Sequence, residues 1–407
     1  MIQQKTKPVY PLLSGMFFLQ FFIFGTTIPI ITLYMRSYLG FTGSQIGLIL
    51  ALTSLSAFIT PVLWAFVVDR IVRAEVLLGA SHFVGGLCMF LLYFQEGFLP
   101  FLVIYVLYNL FLGPTVALNN SISFSHLFPN GADNFGKVRM WGTIGWITVA
   151  WGFGYFWLKM PIGGAVDAKL SQALILAGAA SMVMAFYSLF ILPKRKLTEN
   201  TVKPKILPES ALKILVRKDI LLLLVFTFLA GILDRFYYFG SSPFMADLGL
   251  AESEIMPFLS LGQVPELFGL YLLGLLIARI GFKGVFLLGT ALQLFRFLIF
   301  ALELPLPLVG LGISFHGLTF AFIIAAMSIY VDTYCDESSR GGVHQLFNIA
   351  NFGFAKLLGN LFCGWVADAF AVNGNINFPV FWSVANSISI VLFILIFFLF
   401  SRKLQAL

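Results

Sequence analysis

Apolar segments long enough to cross a lipid bilayer recur along the whole length of this chain, and they restrict its fold more than any other feature. Residues 377–401, NFPVFWSVANSISIVLFILIFFLFS, contain no charged side chain. A bilayer-spanning helix needs about 20 mostly apolar residues. Only 11% of the 407 residues are charged, whereas soluble domains carry about 25%. No soluble fold of this size could bury so much apolar surface, so the sequence predicts an integral membrane protein.

Polar breaks that contain proline and glycine divide the chain into about twelve such segments. Only Leu304-Pro305-Leu306-Pro307 separates the ninth segment from the tenth, so this boundary is the least marked. We predict an all-α fold of 12 transmembrane helices with the approximate bounds 11–34, 44–68, 76–95, 99–127, 138–158, 169–192, 219–245, 253–278, 284–303, 304–332, 344–370 and 377–401.

The longest polar stretch, residues 193–218, holds eight Lys and Arg residues and leaves six segments on each side. It predicts a six-helix unit at 1–192, a central loop and a second six-helix unit at 219–407. Lys and Arg collect in cytoplasmic loops. Placing the central loop in the cytoplasm puts most other basic residues there, and only Arg36, Lys159 and Lys169 fall on the opposite side. We expect both termini to be cytoplasmic in a cell membrane, and we attribute the net charge of +7 to this topology rather than to nucleic acid binding.

The remaining general signals are weak. Lys5 and Lys7 precede a first apolar segment that is too long for a secretory signal peptide and lacks a cleavage site. The three cysteines are isolated and the four histidines lie far apart along the chain. We therefore expect no disulfide framework, no metal site and no cofactor.

Two groups of six segments around a basic central loop resemble transporters of the major facilitator superfamily. The loop at 64–73, WAFVVDRIVR, is similar to that superfamily's Gly-x-x-x-Asp-Arg-x-Gly-Arg motif at Asp69, Arg70 and Arg73, with Ala65 and Ile71 replacing its glycines. The resemblance implies two pseudo-symmetric six-helix bundles with the solute between them at mid-membrane. It also implies that the motif latches the halves without touching solute; plain topology and pairing at helix ends are the simpler interpretation.

Charged residues inside the segments are the first functional candidates, because each costs about 2.5–3.5 kcal/mol at the membrane centre. The spacing of Arg139, Thr143 and Trp146 predicts one helical face that offers a cation, a hydroxyl and an aromatic plane, which suits a flat polar ligand. The alternative is that Arg139 extends to the cytoplasmic surface beside Lys137. The full set of charged candidates is Arg139, Asp234, Arg235, Glu266, Arg296 and Lys356.

The eighth segment contains LGQVPELFG at 261–269, in which Gln263 and Glu266 share a helical face. Pro265 removes a backbone donor and is expected to bend the helix. Desolvation disfavours a charged carboxylate, so Glu266 is a candidate for taking up and releasing a proton. The alternative is a fixed ion pair with Arg296 or Lys356 that only holds helices together.

The seventh segment places Asp234 and Arg235 next to each other, about 100° apart around the helix, so they are not expected to face one partner. Tyr238 lies one turn beyond Asp234 and shares its face. Lys356 lies between two glycines in the eleventh segment, where small neighbours permit close helix approach. A buried lysine there needs an acidic partner, and Glu266 or Asp234 would serve.

Several fragments together resemble the nucleoside:proton symporter family of the major facilitator superfamily. The resemblance implies that Arg139, Thr143 and Trp146 line a nucleoside site and that Gln263 and Glu266 contribute from the second half. It is strongest in RMWGTIGW and also rests on LQFFIFG at 19–25, PTVALNNSISFSHL at 114–127, GQVPELF at 262–268 and the Arg-Phe pair at 296–297.

The chain also departs from the pattern of that family. The family carries an aspartate after an aromatic residue in its tenth segment, and here Ala321 follows Phe320. Asp234 and Tyr237 stand where the family has glutamine and asparagine, and Lys356 is additional. A related branch, similar to phenylpropionate permeases, shares the Gly-Lys-Val-Arg-x-Trp-Gly run and would use Arg139 or Lys356 to bind a carboxylate.

These observations favour a monomeric transporter that carries a small planar polar solute, with nucleosides first, together with protons. Glu266 and Asp234 are the candidate proton-coupling groups. The other site candidates are Arg139, Thr143, Trp146, Tyr237, Gln263 and Phe320. An aromatic carboxylate as the solute and a non-transporting sensor of the same fold are the alternatives, and a membrane enzyme is disfavoured because no nucleophile–base pair is evident.

Overall fold

The computed structural model describes residues 9–60, 72–127, 131–160, 170–194, 218–334 and 337–400. Within these ranges the protein is helical, and β-type pairing is limited to isolated bridge residues such as Val372 and Asn375. The predicted all-α membrane fold is confirmed. Ten helices of the described part are long and apolar enough to cross a membrane: Val9–Tyr38, Gly43–Thr60, Ala74–Tyr93, Phe98–Leu127, Gln172–Ile191, Ile220–Asp247, Glu252–Ala301, Leu306–Thr333, Gly342–Ala369 and Phe378–Leu399.

The difference from twelve predicted segments has two sources. The fifth segment coincides with the Gly131–Val149 helix and its continuation Ala150–Trp157, which is not among those ten. The eighth and ninth segments lie in one helical run, Glu252–Ala301, in which Gly281 has a φ of 68°. Glycine adopts this left-handed conformation without steric cost, so Gly281 turns the chain between the two segments. The boundary that looked least marked in sequence is clear, because one helix ends at Ala301 and the next begins at Leu306.

Five helices in the described part of the chain contain turns of π-helix, which the sequence did not predict. A π-turn inserts one extra residue into a helix, and such turns are frequent at functional sites. One of them begins at Phe320 and another ends directly before Lys356, so both adjoin candidate site residues. The five π-helical stretches are Tyr34–Tyr38, Ala150–Trp157, Tyr187–Ile191, Phe320–Ala325 and Ile349–Ala355.

Contacts between residues divide the chain into two compact units. The first comprises Met1–Leu39 and Leu55–Pro204, and the second comprises Gly40–Ser54 and Lys205–Leu407. The short segment Gly40–Ser54 thus packs with residues far along the chain, whereas the predicted boundary at 193–218 assigned it to the first half. The α-helices of the first unit are Val9–Thr27, Ile31–Leu33, Ala74–Tyr93, Phe98–Leu112, Thr115–Leu127, Gly131–Val149 and Gln172–Phe186.

Two helices of the first unit, Val9–Thr27 and Gly131–Val149, approach each other backbone to backbone. A Cβ atom built on Gly145 would lie 2.3 Å from the carbonyl oxygen of Phe18. On the neighbouring turn, Gly25 lies against the backbone and indole ring of Trp146. Small residues permit this close approach where lipid offers no hydrophobic driving force for association. The glycines around Arg139 therefore have a packing role of their own.

The second unit has an aromatic core around the fully buried Trp382. The rings of Phe244, Phe297, Phe300 and Phe381 surround its indole with centroid distances between 5.1 and 5.7 Å. Such pairs stabilise beyond their buried area. The α-helices of this unit are Gly43–Leu52, Lys218–Asp247, Glu252–Leu259, Gln263–Ala301, Leu306–Thr319, Ala326–Tyr334, Glu337–Asn348, Lys356–Ala369 and Phe378–Leu399.

The packing at Gly145 predicts an unequal response to two matched substitutions. Gly145→Ala should lower the free energy of unfolding by about 1–3 kcal/mol, because the new methyl group overlaps the Phe18 backbone. Gly152→Ala is the control, because no atom lies within 4 Å of a Cβ at Gly152. Melting temperatures of the purified variants in detergent test this. Equal melting temperatures for the two variants would contradict it.

Candidate functional site

In the first unit, Arg139 lies against the aromatic side chains of the Val9–Thr27 helix. Its guanidinium carbon is 3.9 Å from the centroid of the Phe21 ring and 5.8 Å from that of Phe17. A guanidinium over a ring face is attracted by the quadrupole of the ring, and the attraction grows when water is excluded. The neighbouring Lys137 is exposed, whereas Arg139 is half-buried. The structure therefore turns Arg139 toward the neighbouring helix and separates it from Lys137.

Gly142 makes room for this stack. A Cβ atom at this position would lie 2.7 Å from Cδ2 of Phe21 and 2.8 Å from Nη1 of Arg139. Thr143 and Trp146 follow on the same helix and are half-buried. Arg139 contacts the Val9–Thr27 helix at Phe21, and Trp146 contacts the same helix at Gly25. These two residues therefore lie on one face of their own helix, as the spacing predicts.

The first unit also contains a buried polar network that sequence reasoning missed. The Oε1 atom of Gln20 accepts hydrogen bonds from Nε2 of His82 and from Nδ2 of Asn119, each 3.0 Å long. All three side chains are 0% exposed. The network joins three helices, and an amide inside an apolar run was the available signal. Its complete burial points to a structural role, since interhelical hydrogen bonds hold membrane helices together.

In the second unit, Arg296 is the centre of a second group of planar side chains. It is 1% exposed, and its guanidinium carbon lies 4.8 Å from the centroid of Tyr237 and 4.5 Å from that of Phe297. Its Nη1 is 2.9 Å from Nδ1 of His316. The ring of His316 stacks on Tyr237 at 3.8 Å with an interplanar angle of 14°. Arg296, His316 and Tyr237 thus form one stacked, hydrogen-bonded group.

The chemistry of arginine fixes the protonation state of His316 in this arrangement. A guanidinium group can only donate hydrogen bonds, so Nδ1 of His316 must accept. The imidazole is therefore neutral, with its proton on Nε2. Sequence reasoning did not select His316, because isolated histidines in an apolar chain give no pattern. His316 lies four residues before the candidate Phe320, so the two share a face of the helix. This spacing could have identified His316 from the sequence.

Asp234 and Arg235 form an ion pair with each other. The sequence placed their helix positions about 100° apart, but the arginine side chain is long enough to reach back to its neighbour. Arg235 also lies over the ring of Tyr238, at 5.4 Å, and its Cβ and Cγ atoms pack against Gly359. Asp234 is thus joined to Arg235 and not to Lys356.

The charge partners of the second unit differ from the expectation drawn from sequence. The charge that acts on Lys356 is that of Arg235, which has the same sign. Within the described residues Lys356 makes no ion pair, so the predicted pairing with Glu266 or Asp234 is not found there. The hydrogen-bond partners of Arg296 are His316 and Thr319, not a carboxylate.

Glu266 and Gln263 lie in the first turn of the Gln263–Ala301 helix. A 3₁₀ turn, Ser260–Gly262, directly precedes them, so the local irregularity lies ahead of Pro265, where the sequence predicted a bend. Proline is tolerated in a first helical turn, because its missing N–H would have no partner there. Glu266 packs against Gly317, where a Cβ would lie 2.7 Å from the Glu266 amide nitrogen. Glu266 is half-buried at this contact.

The remaining candidates are dispersed. Phe320 is 41% exposed at the start of its π-helical turn, and the following Ala321 is buried against Gly269. Asp69 and Arg70 lie outside the described residues, and Arg73 directly precedes the Ala74–Tyr93 helix. Within the ranges that the structure describes, no three His, Cys, Asp or Glu side chains are grouped so that they could hold a metal ion.

Comparisons with known proteins match this chain to membrane transporters. A family described as "Nucleoside H+ symporter" matches residues 10–405. The xanthosine permease of Escherichia coli (strain K12) is 28% identical over 406 residues, covering 95% of this chain and 94% of that protein. Nucleoside permease NupG of the same strain is 25% identical over 397 residues, covering 92% of each. A crystal structure of nucleoside transporter NupG, 22% identical, has a TM-score of 0.84 and covers 96% of this chain and 100% of that chain, which shows a shared fold.

The stacked group predicts that Arg296 cannot be replaced by lysine without loss of stability. The planar guanidinium of Arg296 forms a hydrogen bond with His316 and also lies over two aromatic rings. A lysine ammonium is not planar and cannot make both kinds of contact. Arg296→Lys should therefore lower the free energy of unfolding by about 2 kcal/mol or more, as expected when a buried hydrogen-bonded charge loses its partners. Arg279→Lys is the control, because Arg279 is exposed and lies before the turn at Gly281. A melting temperature for Arg296→Lys equal to that of the control would contradict the prediction.

Proposed function

The chain belongs to the nucleoside H+ symporter family, and on that premise we propose that it imports nucleosides together with protons by alternating access. It is a multi-pass membrane protein with the fold of a transporter. The proposal includes cytoplasmic termini, a monomeric state and a solute that is carried without chemical change. The observation that supports it most is the group of Arg296, His316 and Tyr237, a planar polar assembly inside apolar helices.

Each unit carries side chains that are candidates for binding the nucleoside. In the first, Arg139, Thr143 and Trp146 offer a cation, a hydroxyl and an indole plane along one helix. In the second, the candidates are Asp234, Tyr237, Gln263, Glu266 and Phe320. Flat aromatic and guanidinium groups suit a nucleobase, since aromatic planes stack on bases and Arg donates to their carbonyl oxygens. Amide and carboxylate groups suit the hydroxyl groups of ribose.

Nucleosides are favoured over aromatic carboxylates as the solute. Relatives matched along nearly the whole chain include a xanthosine permease and a nucleoside permease. A carboxylate solute would need a cation to pair with. Of the two candidate cations, Arg139 lies over the ring of Phe21, and a guanidinium can donate to a neutral base as well as to a carboxylate.

Glu266 is the proposed proton-coupling residue. Asp234 is the weaker candidate, because its carboxylate is already engaged in an ion pair with Arg235. In the proposed cycle Glu266 takes a proton from the outside, the solute binds, and the loaded carrier turns inward. Binding can drive this turn only if the two states differ in affinity for the solute.

Reconstituted vesicles separate the proposal from its alternatives. A symporter in proteoliposomes should alkalinise the external medium when a nucleoside is added and should leave the nucleoside chemically intact. Phenylpropionate should produce no proton uptake. An enzyme would alter the nucleoside, and a sensor would bind it without proton movement. Nucleoside binding without any proton flux would overturn the symport proposal.

Replacing Glu266 should separate accumulation from exchange. Glu266→Gln keeps the size of the side chain but cannot take up a proton, so uphill nucleoside accumulation should fall to background. Exchange of internal for external nucleoside should continue in part, because it needs no net proton transfer. Glu254→Gln is the control, since Glu254 is exposed and lies in the preceding helix. Full accumulation by Glu266→Gln would remove this residue from proton coupling.

Arg139→Ala should weaken nucleoside binding while the protein still folds. Losing a charge-assisted hydrogen bond to the solute should raise the dissociation constant at least about tenfold, since each is worth about 1.5–3 kcal/mol. Lys137→Ala removes an exposed cation two residues away and should leave binding unchanged. Nucleoside-dependent thermal shift of the purified variants measures both effects. Unchanged affinity in Arg139→Ala would show that its stack on Phe21 is structural only.

A further inference from the structure

Lys356 lies in the middle of a membrane-spanning helix, and no carboxylate in the described part of the chain forms an ion pair with it. Its side chain is half-buried, and the charge that acts on it is the like charge of Arg235. A lone ammonium group is costly to place inside a membrane. An anion bound beside it would offset that cost, because buried charges are tolerated when they are paired.

Contacts between the seventh and eleventh segments determine the side on which this lysine lies. A Cβ atom on Gly231 would lie 2.7 Å from Cβ of Ala355. One turn further along both helices, a Cβ atom on Gly359 would lie 2.9 Å from Cγ of Arg235. Both chains advance in the same direction along this contact, so the two helices are parallel there.

Helical geometry then places Lys356 on the same side of the contact as Asp234. Asp234 comes directly before Arg235, about 100° backward around its helix. Lys356 comes directly after Ala355, about 100° forward around the other helix. In two parallel helices that face each other, a backward step on one and a forward step on the other turn to the same side. Lys356 therefore lies beside a candidate solute-binding residue, whose side chain is 30% exposed.

The charged candidates of the second unit do not balance. They comprise two carboxylates and three cations, namely Asp234, Glu266, Arg235, Arg296 and Lys356. The carboxylates and Arg235 all act electrostatically on Tyr238, and Arg235 and Arg296 both act on His316, so these groups share one region. Once Glu266 carries the transported proton, one carboxylate remains for three cations. Such a region attracts a negatively charged solute.

The chemistry of these cations favours a single delocalised negative charge over a phosphate. Arg235, whose planar fork suits a phosphate, is already bonded to Asp234. Lys356 is a compact point charge on a flexible stem. The stacked rings of Tyr237 and His316 belong to the same region and suit a flat solute. A planar ring that itself carries the charge fits both features.

We propose that the carrier selects nucleosides whose base is ionised, and that Lys356 pairs with the negative charge of the base. The inference rests on the proposed function, because it specifies the charge of the solute at the same site. Glu266 would supply the proton that accompanies the anion. One anion and one proton then cross the membrane together without net charge.

Two purine nucleosides that share the same ribose test the inference. The dioxopurine base of xanthosine is largely anionic at neutral pH, whereas the base of inosine is neutral. The unaltered protein should bind xanthosine at least about tenfold more tightly, because a hydrogen bond to a charged group is among the strong ones. Competition against a labelled nucleoside measures both dissociation constants. Equal constants would overturn the inference and leave nucleoside transport standing, whereas binding of neither nucleoside would overturn the proposed function.

A phosphate ester separates the two sources of negative charge. Inosine monophosphate carries its charge away from the base, so it should bind no more tightly than inosine. Tighter binding of the monophosphate than of xanthosine would show that the site takes a phosphate, and the inference would then be wrong.

Removing the charge of Lys356 should abolish the preference. Lys356→Met keeps the length of the side chain, and xanthosine should lose at least about tenfold in affinity while inosine loses less than about twofold. Lys137→Met is the control, because Lys137 is exposed, and it should leave both affinities unchanged. An equal loss for both nucleosides in Lys356→Met would show a structural role only and would overturn the inference.

A second variant acts in the opposite direction and does not depend on the stability of the first. Asp234→Asn removes a negative charge from the same side of the contact, so the preference for xanthosine over inosine should rise at least about threefold. Contacts of Asp234 with ribose are common to both nucleosides and cancel in this ratio. An unchanged ratio would contradict the inference.

The membrane potential distinguishes an ionised cargo from a neutral one. Xanthosine carried with one proton should enter proteoliposomes at a rate that an imposed potential does not change. Inosine carried with one proton should enter faster when the inside is negative, because one positive charge moves with it. An equal response of the two nucleosides to the potential would overturn the inference.

Discussion

Lipid offers polar groups no hydrogen bonds, and the rest of this structure depends on that constraint. Backbone N–H and C=O groups in a bilayer must form their hydrogen bonds within the protein. A chain of this composition achieves this by folding into helices. Buried side chains follow the same rule in part. Arg296 is fully buried and contacts His316, Thr319 and two aromatic rings, while its Nε has no hydrogen-bond partner among the described residues. Oε1 of Gln20 accepts from His82 and Asn119, while its Nε2 has no partner in the same part of the chain.

Aromatic rings are a major part of how this protein accommodates cations. Arg139 lies on Phe21, Arg235 lies near Tyr238, and Arg296 lies between Tyr237 and Phe297. A ring stabilises a guanidinium through its quadrupole without using the N–H donors. Those donors stay available for directed bonds, as the bond from Arg296 to His316 illustrates. Planar polar surfaces arise from this arrangement, and they are the property that a carrier of flat solutes requires.

Much of the fold was predictable because it follows from local composition. The positions of the helices follow from runs of apolar residues, and helices occupy the predicted segments throughout the described ranges. The exceptions have local causes. Gly281 turns the chain with a left-handed backbone between two helices, and no composition rule distinguishes it from other glycines. The π-helical turns at Phe320–Ala325 and Ile349–Ala355 likewise depend on packing with other helices.

The sequence by itself determined that the chain lies in a membrane, where its helices run and which ionisable residues they carry, because hydrophobicity and helical period are properties of neighbours along the chain. Only the tertiary structure decided the partners: Asp234 with Arg235, His316 with Arg296, and Asp368 with the start of the Gly43–Leu52 helix. Helical period fixes the face of a side chain on its own helix. It does not fix which other helix lies opposite, and partners and protonation states depend on that choice.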